Sequence, residues 1–360
     1  MNNNSKQSLI IADLRSNCSY QGISTGHFVP VARMYKHLFE DSFDVKIAGG
    51  PVYQKYFNCE DLITLPNNVC GDSFFHKIRI LQNSLKLFRY VRGKTLVLQQ
   101  SSDVTSHLAL ALLYWGGANV YLIRYSSSGI NSLLKKAIYN LCRYKINGVI
   151  CPNEEVGRSY GRPFCVVPDY IYTGNEINAE KESTNLEYKK YDFCIIGRLA
   201  KEKGVIESAR WIAKCGLKAI IAGKTQTEDF ALEIHKVCRG VDNIELRLGY
   251  LSEEEYRRIL RESKYALLNY QGEYSIRSSG VVFDTLFSGL PVVGTKCKAL
   301  LFVEEKKLGF LYNSIEELDS AIEGLMSDSE RKKYLENIDG YRFTHQYYKK
   351  QLLLFLKCYE

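Results

Sequence analysis

The stretch Glu273-Tyr-Ser-Ile-Arg-Ser-Ser-Gly-Val-Val-Phe-Asp-Thr-Leu-Phe-Ser-Gly-Leu-Pro-Val-Val-Gly294 reads as a loop, a helix, a turn and a buried strand. Ser278 or Ser279 can cap the helix, Val281, Val282, Thr285 and Leu286 give it an apolar stripe, and Gly289 ends it before Pro291. Arg277, Ser278, Ser279 and Gly280 then stand at a helix N-terminus, where unpaired amides and the macrodipole favour an anion. Asp284 lies one to two turns further in, where it can meet neutral hydroxyls of a ligand whose phosphates sit at the helix start. That spacing suits a nucleotide with its ribose on the carboxylate. The plain alternative is a capped helix preceded by a solvated Arg.

Three further segments bear on that choice. In Ile195-Ile-Gly-Arg-Leu-Ala-Lys-Glu-Lys-Gly-Val205 a strand ends at Gly197, and Arg198 and Lys203 follow before the next helix. Two cations there can neutralise a diphosphate and stabilise the charge that grows as it leaves, although a surface Arg and Lys at a helix start would look the same. Ile220-Ile-Ala-Gly-Lys-Thr225 is not a phosphate loop, because Lys218 stands where its first glycine is needed. What remains is bare backbone at Gly223 and another cation, Lys224. Leu248-Gly-Tyr-Leu-Ser252 ends a strand in a turn whose backbone could read the edge of a base, with Tyr250 beside it.

Outward from these segments, strand-like runs alternate with helical ones over most of the chain. Ser8–Leu14, Asp44–Ala48, Asp61–Leu65, Thr95–Gln99, Asn119–Tyr125, Ile146–Cys151 and Cys165–Pro168 precede a polar stretch; Asp192–Gly197, Lys218–Ala222, Asn243–Leu248, Tyr265–Asn269 and Pro291–Gly294 follow it. Continuous Val/Ile/Leu runs of this length mark parallel strands covered on both faces. The expected architecture is α/β: two doubly wound Rossmann-like domains facing a cleft, with residues 1–170 as the first domain, 171–190 as linker and 191–340 as the second, ligand-binding domain. Residues 341–360 form a C-terminal helix that packs back on the first domain.

A chain of 360 residues with 46% hydrophobic and 24% charged residues has ample core for two domains. No apolar run approaches the roughly 18 residues of a membrane span, and Met1 to Gln7 lacks a signal-peptide core. Eleven scattered cysteines without a Cys-x-x-Cys pair indicate reduced thiols in a cytoplasm, and no metal site is expected. The net charge of +8 suits phosphate-bearing ligands or an anionic membrane surface. Nucleic acid is not expected, because aromatic and basic residues do not interleave periodically. Residues 76–94 form a basic helix with Ile78, Leu81, Leu85, Phe88 and Val91 as its apolar stripe, either a core helix with a solvated basic face or a peripheral contact with the inner face of a membrane.

Together these segments resemble the C-terminal domain of the GT-B glycosyltransferases, in the retaining branch called glycosyl transferases group 1, or family four. The family's Gly-Arg-Leu…Lys-Gly is matched by Gly197, Arg198, Leu199, Lys203 and Gly204, and its Glu-Ala-Met-Ala-x-Gly-x-Pro-Val-Val loosely by Asp284 to Val293. The resemblance implies that Arg198 and Lys203 hold a diphosphate and Asp284 a ribose. It departs from the family where a glutamate pair is usual: Asp284 replaces the second member and Ile276 stands at the first, with Glu273 near but out of register. Ser24-Thr-Gly-His-Phe-Val-Pro30, before a helix over Val31–Leu38, looks like the family's glycine loop. It makes Thr25, Gly26 and His27 acceptor-side candidates. His27 is also a catalytic candidate, although a His at a helix start is commonly structural. Asp103 could grip an acceptor sugar or cap a helix.

The family implies transfer from a UDP- or GDP-sugar to a saccharide, perhaps lipid-linked, with retention at the anomeric carbon and a leaving phosphate oxygen taking the acceptor's proton. No Asp-x-Asp motif occurs, so the departing diphosphate is expected to rely on Arg198, Lys203 and helix-end amides without a metal ion or other cofactor. The rivals are a nucleotide-sugar epimerase of similar shape and a non-catalytic nucleotide-sugar-binding partner in a synthase complex.

Overall fold

The computed structural model describes residues 6–17, 28–70, 74–99, 104–168, 171, 189–275, 279–342 and 345–357. Thr25, Gly26, His27, Asp103, Ile276, Arg277 and Ser278 lie outside them. The chain divides into two compact units, one of Met1–Ile171 with Gln346–Glu360 and the other of Tyr172–His345.

The first unit carries seven strands, β1 (Ser8–Ala12), β2 (Asp44–Gly49), β3 (Leu62–Thr64), β4 (Thr95–Gln99), β5 (Asn119–Ile123), β6 (Gly148–Cys151) and β7 (Phe164–Val166), in the order β3-β2-β1-β4-β5-β6-β7. All its pairings are parallel, with Leu9 opposite both Val45 and Thr95. Parallel neighbours need crossover helices, which cover both faces and explain why β1 and β4 are apolar without alternation. Leu9, Ile11 and Val97 face one core, Ile10, Leu96 and Leu98 the other. Leu352 and Leu356 of the C-terminal helix His345–Lys357 join the first of these cores, where the Tyr121 hydroxyl donates to the Leu356 carbonyl over 3.1 Å.

The second unit repeats the plan with β8 (Tyr191–Ile196), β9 (Ala219–Gly223), β10 (Ile244–Leu248), β11 (Ser263–Leu268), β12 (Val292–Thr295) and β13 (Gly309–Tyr312), ordered β10-β9-β8-β11-β12-β13 and parallel throughout. The strand order reverses between β8 and β11, and open α/β sheets bind ligands at the carboxyl ends of strands beside such a reversal.

The expected doubly wound α/β architecture is present in both units. Strand β13 is missing from the sequence reading, because Gly309-Phe-Leu-Tyr312 starts on a glycine and has no β-branched residue; it lies at the sheet edge beside β12. The helix in residues 76–94 runs Phe74–Phe88, and its inward side is Ile80, Asn83, Ser84 and Leu87. Ile78 and Leu85, assigned to the apolar stripe, are exposed. Two polar side chains on the inward face misled the periodicity: Asn83 bonds the Leu14 carbonyl at 2.8 Å and Ser84 the Ile80 carbonyl at 2.8 Å.

Candidate functional site

Gly197 follows β8 at φ +95°, a left-handed conformation in which a side chain is strained. A Cβ there would come within 2.9 Å of Val281 Cγ2 and 4.0 Å of Lys203 Nζ. The backbone of β8 therefore lies directly beneath both the first turn of helix Gly280–Phe287 and the Lys203 ammonium. Gly223, at φ +135°, is closer still to its neighbour: its Cβ would fall 1.8 Å from the Gly197 carbonyl oxygen. The two glycines bring β8 and β9 together as a bare ridge, extended by the amide of Gly249, which donates to the Gly223 carbonyl at 2.9 Å.

Lys203 ends a short 3₁₀ turn, Lys201–Lys203, and only 7% of its surface is exposed. Its ammonium lies 5.2 Å from the ring centre of Tyr274 and 5.9 Å from that of Tyr270, so two electron-rich faces offset part of the cost of removing the charge from water. A buried cation beside bare backbone and a helix N-terminus gives this end of the sheet a positive field suited to an anion. Arg198, by contrast, is exposed, as are Lys224 and Tyr250.

Ser279 opens the helix but does not cap it with its side chain. Its Oγ instead accepts the hydroxyl of Tyr270, a fully buried residue after β11, at 2.8 Å. The capping role expected of Ser279 is thus corrected: the hydroxyl is held sideways by Tyr270, and the first helical amides are left without that partner. The helix ends at Gly289 as expected, with φ +69° and its amide on the Leu286 carbonyl.

Asp284, one turn along, is partly buried, and one carboxylate oxygen accepts the hydroxyl of Tyr256 at 3.0 Å. Burial and the adjoining Asp284 charge push the Tyr256 hydroxyl well above the usual tyrosine range, so it stays a donor. Tyr256 is carried by helix Glu253–Arg261, which starts with a capping box: Ser252 Oγ accepts the Glu255 amide at 3.2 Å, and Glu255 accepts the Ser252 amide at 3.0 Å. Gly197, Lys203, Gly223, Ser279, Gly280 and Asp284 are therefore placed together by β8, β9 and one helix. Tyr256, Tyr270 and Tyr274 escaped the sequence reading, because three tyrosines among 26, on different elements, leave no local signal.

The first unit has polar groups at its own strand ends. Asp13, following β1, accepts the Tyr53 hydroxyl at 2.8 Å and the Ser16 amide at 3.0 Å, and burial raises its pKa. Gln99, at the end of β4, donates to the Phe28 carbonyl at 2.7 Å. Arg124, following β5 and 1% exposed, lies with Nη2 3.1 Å from His107 Nε2; burial and that guanidinium hold His107 down at about 3, so the ring is neutral. Gln99 opens a polar loop, Gln99–Asp103, that the sequence marks as an acceptor-sugar candidate, whereas Asp13, Arg124 and His107 give no such signal.

Two all-parallel Rossmann-like units with glycine-ended strands define the class: this is the GT-B fold of glycosyltransferases. Residues 190–328, the bulk of the second unit, match the family described as Glycosyl transferases group 1. Among solved structures, AviGT4, a glycosyltransferase involved in avilamycin A biosynthesis, is 16% identical over 97% of this chain and 98% of its own, with a TM-score of 0.60. HepE of Anabaena, solved with UDP-glucose, is 12% identical over 98% and 100%, with a TM-score of 0.63. An α,α-trehalose-phosphate synthase (UDP-forming) of Burkholderia xenovorans, solved with glucose-6-phosphate, is 10% identical over 98% and 100%, with a TM-score of 0.69. At these identities the likeness is one of fold. No curated protein matches the sequence significantly.

Proposed function

We propose that this chain is a glycosyltransferase that moves a sugar from a nucleoside-diphosphate sugar, UDP-linked in the first instance, to a saccharide acceptor. The observation that carries the proposal is the buried Lys203 ammonium against Gly197 and the start of helix Gly280–Phe287. In this reading the diphosphate sits between Lys203 and the first helical amides, and Asp284, steadied by Tyr256, takes the ribose hydroxyls. Exposed Arg198 swings onto the diphosphate as it binds, and its charge with that of Lys203 offsets the negative charge that develops on the leaving oxygen. The finer parts of the proposal are retention, independence from metal ions, a lipid-linked acceptor and a role in cell-surface polysaccharide synthesis.

The UDP-glucose bound to HepE and the UDP-forming reaction of the Burkholderia synthase support a UDP-sugar as the first donor to try. The test is incubation with UDP- and GDP-sugars, with and without saccharide acceptors. Acceptor-dependent release of nucleoside diphosphate that falls at least tenfold in the Arg198→Ala/Lys203→Met double variant is expected. Unchanged kinetics in that variant would exclude the site, and conversion of the nucleotide sugar without any acceptor would favour an epimerase.

A further inference from the structure

Helices Phe74–Phe88, Val104–Leu113 and Leu133–Cys142 of the first unit pack side by side on one face of its sheet. Crossover helices of such a sheet should turn polar residues outward. These do not. Helix Val104–Leu113 contains no Asp, Glu, Lys or Arg, and beyond its inward residues it continues outward through Leu112 to Trp115, which is 94% exposed. Phe74 and Phe75 open the neighbouring helix on one side at 71% and 72% exposure, and Leu133 and Leu134 open the helix on the other at 90% and 71%. Both pairs start helices that follow strands, so they sit at the carboxyl edge of the sheet, the edge where Asp13, Gln99 and Arg124 end β1, β4 and β5.

The charge on this region is as lopsided as its hydrophobicity. The three helices carry Lys77, Arg79, Lys86, Lys135 and Lys136 and no Asp or Glu. Lys77, Arg79 and Lys136 are exposed beside the apolar residues.

We propose that this three-helix face is a docking surface for an anionic lipid bilayer. It extends the contact expected of residues 76–94 to side chains outside that segment, since Phe74, Phe75, Leu112, Trp115, Leu133 and Leu134 all fall beyond it, and it does not depend on the donor site. A bilayer takes both halves of the pattern at once: the phenyl, indole and leucyl groups enter the acyl boundary while the cations meet phosphate headgroups. A second copy of the chain fits poorly, because a two-fold contact would set one basic face against another. No helix among the described residues is long and apolar enough to cross a membrane, so the contact is peripheral. Leu112 closes, and Trp115 follows, a helix that starts at the carboxyl edge, so both lie toward the amino edge, which lays the three-helix face lengthwise along the headgroup layer.

The test is sedimentation of the full chain with phosphatidylcholine vesicles, with and without phosphatidylglycerol, at low and high salt. Binding only to the anionic vesicles is expected, and it should weaken at least tenfold in Phe74→Ser/Phe75→Ser/Leu133→Ser/Leu134→Ser and in Lys77→Gln/Arg79→Gln/Lys136→Gln. The melting temperature of both variants should match the wild type, because the altered side chains are exposed. In a Trp211→Phe background, Trp115 emission should shift to the blue on adding anionic vesicles. Absence of binding at low salt, variants that bind like the wild type, an unshifted Trp115 emission, or self-association abolished by the same substitutions without any vesicle binding would each overturn the proposal.

Discussion

Replacing Lys203 with Met separates a lysine that binds substrate from one that only fills space. Met keeps most of the stem that packs between Tyr270 and Tyr274 and removes the ammonium. The stability change is the difference of two opposing effects. The two ring contacts are worth about 2 kcal/mol or more in a desolvated setting, and holding an ammonium that is only 7% exposed costs a comparable amount. The net shift in folding free energy should stay within about 1 kcal/mol, or roughly 2–4 °C in melting temperature for a unit of this size. Loss of a charge-assisted bond to a phosphate should instead weaken nucleoside diphosphate binding by about 1.5–3 kcal/mol, or about ten- to a hundredfold. Calorimetric titration of UDP and GDP, run beside thermal melts, reads both quantities. A melting temperature lowered by more than about 10 °C with unchanged nucleotide affinity would refute the reasoning and make Lys203 a structural residue.

Tyr256→Phe should raise the UDP dissociation constant about tenfold by releasing the Asp284 carboxylate, and the loss should shrink with 2′,3′-dideoxy-UDP, which titration of the two ligands will show. Gly223→Ala should destabilise the second unit by on the order of 3 kcal/mol, measured by denaturant unfolding, because its Cβ would overlap the Gly197 carbonyl at an unfavourable φ. Glu255, held down at about 2 first by the Ser252 amide and then by Arg247, contributes stability that is complete above its ordinary 4.5 and is lost as pH falls from there toward 2. Thermal melts of Glu255→Gln should therefore fall below the wild type at pH 7, and the gap should close near pH 2. Transfer activity should persist in excess chelator; its complete loss, restored by a divalent ion, would contradict metal independence.

The features legible in the sequence are those set by short-range pattern. Strand β8 with the glycine after it, and the helix from Gly280 to Gly289, follow from apolar runs and turn residues that few other conformations accommodate. The register of helix Phe74–Phe88 was not legible, because Asn83 and Ser84 are buried by bonds to Leu14 and Ile80 that no periodicity reveals. Nor was the fate of the Ser279 hydroxyl. Local rules assign it to the helix amides, and a tyrosine nine residues upstream, brought round by β11, takes it instead. Asp284 could be named from its spacing to the helix start, whereas its partner Tyr256 comes from a different crossover and required the fold. Strand β13 failed for a different reason, since Gly309-Phe-Leu-Tyr312 has none of the β-branched residues that marked the even shorter edge strands β3 and β7.

A crystal of the protein soaked with UDP tests the donor site most directly. The diphosphate is predicted within hydrogen-bonding distance of Lys203 Nζ and the amides that open helix Gly280–Phe287, with the ribose on Asp284. Density for the nucleotide elsewhere, with Lys203 still enclosed by its two tyrosines, would contradict it.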